Sequence, residues 1–358
     1  MYTPRWKEIA DSIRAEIELG VLAPGDMLPS EVDMAARWNV SHVTAHRALR
    51  ELQQEGIVIR RRKAGTIVAR RETRATGQIA VFLHTRDYLE QEYLNGIRAG
   101  LPDELDLLLC DIRWDPEREA HYLRRMQYTV DGILLNPSCH PANSTLLNSL
   151  IKLGTKIVCI DEAPDYAPVD AVITDNYQGT RDALDYMVSL GHRRIAHFTS
   201  MRPHAISLME RLQAYRDVMS GLGVPDPSRY IRDIPIESIR WQASSTQAVE
   251  DAMSALLHLP KGERPTCFFC VHDYMLSAVV RAYQRMDPQV TAGVEILSFN
   301  DCPPIVPHLP PNVHRIVQPA YEVGRLAAQR LISQQSGHDR TGTVRLAPDF
   351  YPAPARPD

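Results

Sequence analysis

The chain of 358 residues predicts an α/β protein in two parts. An N-terminal winged helix-turn-helix is followed by a two-lobed body of two doubly wound parallel sheets. Three observations carry this. Residues 30–68 read as two short helices and a basic hairpin. From Gln78 onward, short apolar runs alternate with amphipathic stretches, the pattern of a parallel sheet with helices on both faces. The alternation then repeats in a second series of similar length, which implies two similar lobes.

The opening helix holds Trp6, Ile9, Ala10, Ile13 and Ile17. Ser30 caps a helix from Glu31 to Trp38, whose Val32, Ala35 and Ala36 recur at helical spacing. Asn39-Val40 makes a turn, and Ser41 caps a second helix to about Gln54. Val43, Ala48, Leu49 and Leu52 are assigned to its core side, leaving His42, Thr44, Ala45, His46 and Arg47 where a recognition helix meets base edges. Gly56 stops the helix. Ile57-Val58-Ile59 and Thr66-Ile67-Val68 read as strands around a tip of Arg60, Arg61, Arg62, Lys63, Ala64 and Gly65.

Charge follows the same division. Residues 41–76 hold nine Lys or Arg against three acids, whereas residues 77–358 hold 27 against 34. A basic end on an acidic body fits one nucleic-acid face and a separate sensing domain. Arg70 to Thr76 is a polar connector. Met1-Tyr2-Thr3-Pro4 begins no apolar signal region, and no apolar run is long enough to span a bilayer, so a cytoplasmic protein with no membrane partner is expected. The six cysteines are scattered. Cys267-Phe268-Phe269-Cys270 is the one C-x-x-C pair, and it reads as a buried strand without a second ligand pair, so no metal site is expected.

In the body, strands are expected at 79–83, 105–109, 132–135, 156–160 and 171–173, with helices at 91–101, 118–127 and 145–153. The second series has strands at 194–199, 230–234, 266–271 and 294–299, and helices at 179–190, 209–221, 245–257 and 274–286. Asp175-Asn176 and Asp273 read as helix caps, and His192 with its arginines as a helix end. From Pro348 the tail reads as a strand and a loose end. Ligands in such sheets bind outside the carboxyl ends of the strands.

Residues 4–69 resemble the GntR family of winged-helix regulators. The features in order are the opening helix, Gly20 to Glu31, Val40-Ser41, Arg47-Ala48-Leu49, Leu52, Glu55-Gly56 and Gly65-Thr66. The resemblance implies double-stranded operator DNA as a partner, contacted by Ser41, His42, Thr44, His46, Arg47 and Arg50 and by the wing residues Arg60, Arg61, Arg62, Lys63, Gly65 and Thr66. Three positions depart from the family. Val32 stands where a basic residue is usual, and His42 and His46 where arginine is usual. Histidine cannot make arginine's bidentate guanine contact, which leaves base preference open and makes affinity sensitive to pH if these rings face phosphates.

Residues 78–350 resemble the periplasmic-binding-protein-like effector domain of the LacI/GalR regulators. The resemblance rests on Val172 to Gly179, Leu190-Gly191-His192-Arg193-Arg194-Ile195-Ala196, Val130-Asp131-Gly132-Ile133, Pro265-Thr266, Ile296 to Asp301, and Val317-Gln318-Pro319 followed by Gly324 and Leu331. A GntR head on this body is the arrangement of arabinose-repressor-like proteins. It implies a head at 1–69, a linker at 70–77 and an effector domain at 78–358, with lobe 1 at about 78–174 and 319–338 and lobe 2 at about 175–318 and 339–358. The implied effector contacts are Asp87, Tyr88, Asn136, Asp161, Ser207, Arg211, Trp241, His272, Asn300 and Gln318. Arg211 sits at the family's hydroxyl-clamping arginine, and Trp241 at its ring-stacking aromatic. His272 and Asn300 replace a common asparagine and aspartate, which favours an anionic ligand such as a sugar acid or sugar phosphate.

The expected function is ligand-responsive transcription regulation. The favoured form is a homodimeric repressor of a sugar-utilisation operon, paired through the effector domain and released by a small-molecule effector; an activator would use the same parts. The alternative from another class is a GntR-headed, aminotransferase-type body. Beyond residue 76 only Lys152, Lys156 and Lys261 could hold its pyridoxal cofactor, and none has a suitable setting. There is no G-x-S-x-G elbow, Walker loop or G-x-G-x-x-G, so neither enzyme activity nor a cofactor is expected.

Overall fold

A computed structural model describes residues 4–18, 21–61, 65–69, 76–84, 88–127, 129–202, 204–224, 226–235, 246–300, 306–335 and 342–354. Arg62, Lys63, Asp87, Trp241 and most of the connector lie outside these residues. The chain divides into two compact units, Met1–Val172 with Gly324–Thr343, and Ile173–Val323 with Val344–Asp358.

The head of unit 1 comprises α1 (Arg5–Glu18), α2 (Glu31–Trp38), α3 (His42–Gln54), β1 (Val58–Arg61) and β2 (Gly65–Val68). Ile9, Ala10, Ile13 and Ile17 of α1 pack with Leu28, Met34, Ala45, Ala48, Leu49, Leu52, Ile57, Val58 and Val68. Asn39 ends α2 in the left-handed region (φ 50°), and Ser41 caps α3 by accepting from the Thr44 amide. Two assignments on α3 reverse. Ala45 is fully buried, while Val43 is 75% exposed. The core stripe is Ala45, Ala48, Leu49 and Leu52, at i, i+3, i+4 and i+7. At about 100° per residue, Val43 lies roughly 160° from Ala45 around the helix.

The rest of unit 1 alternates β3 (Gln78–Leu83), α4 (Tyr88–Gly100), β4 (Asp106–Asp111), α5 (Pro116–Met126), β5 (Gly132–Leu135), α6 (Ser144–Lys152), β6 (Ile157–Ile160) and β7 (Asp170–Thr174). Unit 2 continues with α7 (Asn176–Ser189), β8 (Ile195–Thr199), α8 (Ile206–Gly221), β9 (Ile231–Asp233), α9 (Thr246–Leu257), β10 (Cys267–Cys270), α10 (Asp273–Arg285), α11 (Pro288–Thr291), β11 (Glu295–Phe299) and β12 (Val313–Val317). Then come α12 (Ala320–Gln335), β13 (Thr343–Leu346) and β14 (Asp349–Tyr351).

The strands form two six-stranded sheets, β13-β7-β6-β5-β3-β4 and β14-β12-β11-β10-β8-β9. Their interior pairs are parallel, and β14 closes the second sheet antiparallel to β12. β12, α12 and β13 are elements that the periodicity did not disclose. His314 and Arg315 interrupt the apolar run of β12, and α12 carries Gly324, Ala327 and Ala328 where larger apolar residues would mark a core face. Those small residues permit close approach. A Cβ at Gly324 would lie 2.2 Å from the Tyr93 carbonyl oxygen, and one at Gly100 would lie 2.4 Å from that of Arg325.

Two cap assignments also change. His272, not Asp273, caps α10, its Nδ1 accepting from the Met275 amide at 3.1 Å. His192 does more than end a helix: its ring bridges Thr266 (2.8 Å) and Glu295 (3.2 Å), and Glu295 also holds His314 (2.8 Å). Asp175 caps α7 as expected.

Candidate DNA interface and effector site

The outward face at the start of α3 is organised by one acid. Glu31, the first residue of α2, is reached by His42 Nε2 at 3.2 Å, by His46 Nδ1 at 2.9 Å and by Arg60 of the hairpin. Burial works to raise the Glu31 carboxyl. The hydrogen bond with His46 and the charges of Arg60, His46 and His42 outweigh it and hold the group below the usual carboxylate range. The two histidines that replace arginines are thus tethered to helix α2. Arg47 lies over the Trp6 ring, 4.4 Å from its centroid, while Arg50 is exposed.

Strand alternation in β2 turns Gly65 outward and Thr66 inward. Thr66 is therefore removed from the expected DNA contacts as a side chain. Its backbone carbonyl accepts from Leu28 instead.

For the body, backbone geometry marks the sites. Among the described residues, six other than glycine adopt left-handed φ angles: Asn39, Arg113, Trp114, Cys139, Asp161 and Asn300. Asn39 is the helix cap already described. The other five follow the carboxyl ends of β4, β5, β6 and β11. Such conformations cost about 1–3 kcal/mol each and collect at binding sites. Strand carboxyl ends are also where ligands bind in open α/β sheets.

In unit 2 these ends carry a connected set of polar groups. Arg211 of α8 is buried, and its Nε and Nη2 donate to Asn176 Oδ1 at 3.0 and 2.8 Å. Its Nη1 donates to the Val271 carbonyl at 2.8 Å, and the guanidinium lies 3.6 Å from the Phe299 ring centroid. Asn176 Nδ2 in turn donates to the Thr174 carbonyl at 3.0 Å. The Thr174 hydroxyl donates to Gln318 Oε1 at 2.7 Å, and Gln318 Nε2 donates to Asn300 Oδ1 at 2.8 Å. Asn300 is left-handed at φ 69°, and its own amide is fixed to the Ile316 carbonyl at 2.7 Å. Ser207 is buried one turn before Arg211. Arg211, Asn300 and Gln318 thus fall into one network. His272 spends its Nδ1 on the helix cap. Asn176, Thr174 and Phe299 are the members that the sequence did not single out as contacts. A buried arginine demands acceptors, and the asparagine opening the preceding helix was the signal.

In unit 1 the strand ends are arranged differently. Asn136 follows β5, is buried, and its Oδ1 has no hydrogen-bond partner among the described residues. Asp161 follows β6 at φ 67°, its Oδ1 accepting from the Tyr93 hydroxyl at 2.8 Å. Tyr88 is exposed at the start of α4. His84, which follows β3, stacks on Trp114 with ring centroids 3.4 Å apart and planes 11° from parallel. The Trp114 backbone N–H donates to His84 Nδ1 at 2.9 Å, which puts the proton of the neutral ring on Nε2. Trp114 was missed because tryptophan so seldom takes a left-handed backbone that nothing in the string marks it.

Together a winged helix and two parallel sheets with polar strand ends define the DNA-binding, ligand-sensing class of regulators. The comparisons agree. Residues 6–68 match the model of the bacterial regulatory proteins of the gntR family, and residues 184–351 match the periplasmic binding protein-like domain. The arabinose metabolism transcriptional repressor of Geobacillus stearothermophilus is 25% identical over 360 residues, covering 97% of this chain and 96% of its own. Two solved structures share the fold of the body. A LacI-family regulatory protein from Chloroflexus aggregans has a TM-score of 0.62 at 22% identity, over 78% of this chain and 98% of its own. A LacI family transcriptional regulator from Enterococcus faecium with bound ribose has a TM-score of 0.61 at 20% identity, over 78% of this chain and 100% of its own. The chain is a DNA-binding transcriptional regulator with a GntR-type head on a periplasmic-binding-protein-like body. Among the described residues no helix is long and apolar enough to cross a membrane.

Proposed function

We propose that this regulator is a cytoplasmic repressor of a carbohydrate-utilisation operon, released from its operator by a sugar or sugar derivative, with no catalytic step of its own. The observation that carries the reading is the buried network Arg211–Asn176–Thr174–Gln318–Asn300 at the strand ends of unit 2. Planar amide and guanidinium groups suit paired hydroxyls, and the Phe299 ring gives the guanidinium a fixed plane. Asp161, Tyr88, Asn136 and Ser207 are further contacts in this reading. The arabinose repressor in Geobacillus and the ribose-bound neighbour support a sugar as the ligand class. A two-fold dimer through the effector domains would present two heads to a palindromic operator. Ligand response requires different effector affinity in the DNA-binding and released states.

The test is a thermal-shift screen against pentoses, hexoses, sugar acids, sugar phosphates and nucleosides, followed by operator release with any hit. A ligand that binds only the folded state raises the melting temperature by mass action. Arg211→Ala is expected to abolish the shift and the release while leaving operator binding intact, with Arg211→Lys as a better-folded companion. Release of DNA by the same ligand from both variants would move the site elsewhere.

A further inference from the structure

We propose that Val43 is a base-reading residue, whose isopropyl group packs against the 5-methyl group of a thymine in the major groove. The proposal rests on α3 being the helix that enters DNA. Val43 is the second residue of that helix, within the turn that meets base edges. It is 75% exposed, and the helix does not need it for folding, because Ala45, Ala48, Leu49 and Leu52 fill the core stripe.

The groups around Val43 are committed elsewhere. His42 and His46 are both drawn to Glu31, Thr44 shares its hydroxyl with Ser41 at 2.8 Å, and Arg47 lies over Trp6. This leaves a bare apolar group protruding between the polar ones. Among the described residues of the head, the other large apolar side chains that are exposed, Val21, Met27 and Val32, lie outside α3. Arg47 and Arg50, one and two turns further along the same side of α3, are exposed and carry positive charge suited to phosphates. Of the base edges displayed in the major groove, thymine's is the one that carries a methyl group. The inferred operator therefore has a thymine at one fixed position in each half-site.

The experiment uses the full-length protein and DNA selected by it from a pool of random duplexes. Each thymine of the selected site is replaced by uracil, which removes only the methyl group, and affinity is measured at fixed salt. One thymine per half-site is expected to show a loss of about fourfold, the value of one buried methylene-sized group (about 0.8 kcal/mol). In Val43→Ala the thymine and uracil duplexes should bind alike at that position, whereas Val21→Ala should keep the difference. Sequence-specific binding with no uracil penalty at any thymine, or a penalty that persists in Val43→Ala, overturns the proposal but leaves the DNA-binding reading standing. Failure of selection to enrich any sequence would overturn both.

Discussion

The strand ends of the two units solve the same problem in opposite ways. In unit 2 five polar residues satisfy one another, so that Arg211, Asn176, Thr174, Gln318 and Asn300 hold fixed positions before any ligand arrives. In unit 1 the buried Asn136 oxygen has no partner among the described residues, and the neighbouring feature is a stacked pair of rings, His84 on Trp114. A closed network is rigid and costly to break, while an open acceptor is costly until something donates to it. The lesson is that preorganisation and ligand-dependent stabilisation can be divided between two copies of one architecture.

The largest effect should come from breaking the closed side. Asn176→Ala removes the shared acceptor of Arg211 Nε and Nη2, leaving a buried cation short of two bonds. Unit 2 should lose about 2–3 kcal/mol, seen as a fall in melting temperature of about 5–10 °C, together with the effector response. A variant as stable as the parent would mean that the network is ornamental.

Acidity gives the next effect, and it acts beneath the unit 2 rim. His197 is fully buried between Phe269 and Tyr215, and burial pushes its ring down to about 3 despite the bond to the Phe269 carbonyl. The ordinary value is about 6.5, so between these limits the unfolded chain binds a proton that the folded chain does not. Its stability contribution is complete above about pH 6.5 and is lost as pH falls toward 3. From pH 7.5 to 5.0 this amounts to about 2 kcal/mol. Denaturant titrations at both values should show that difference shrink by as much in His197→Phe; an unchanged difference assigns the acid sensitivity elsewhere.

On the open side the signs differ. Asn136→Leu replaces an amide whose oxygen has no partner among the described residues with an apolar group of similar size. The ligand-free protein should be unchanged or about 1 kcal/mol more stable, while effector affinity falls about tenfold. Greater loss of stability than of affinity would show that the amide serves the fold. Trp114→Ala should have the smallest effect, a fewfold weakening of effector binding with operator affinity unchanged. Calorimetric titration with the thermal-shift hit would read both variants.

Much of this architecture was legible in the string. The turn signals around Ser30 and Ser41 and the apolar runs of the two sheets follow from local pattern, which depends only on neighbours in sequence. The strand ends at Asn136, Asp161 and Asn300 follow from runs such as Gly132 to Leu135 that stop abruptly, whereas Gln318 and the binding role of all four came from the family resemblance. What failed were questions of direction and partnership. Val43 looks like core in a count of apolar residues, and only the angular offset from Ala45 turns it outward. Thr66 turns inward through the register of a four-residue strand. The left-handed Trp114 and the cap made by His272 depend on tertiary context that no local pattern contains.

The backbone contact of Gly324 with Tyr93, and of Gly100 with Arg325, also bears on synthesis of the chain. Helix α12 completes a unit begun at the N-terminus, but residues 173–323 of the other unit are translated in between. At about 5–20 residues per second, the ribosome needs roughly eight to thirty seconds to supply them. Throughout that interval the surface at Gly100 and Gly132 that later receives α12 stands uncovered on the nascent chain, while unit 2 is emerging. Gly100 is fitted to the Arg325 backbone and Gly132 to the Leu331 side chain, so the surface is shaped for α12 itself. The first half of this regulator therefore waits for α12, and chaperone demand during translation should track that wait.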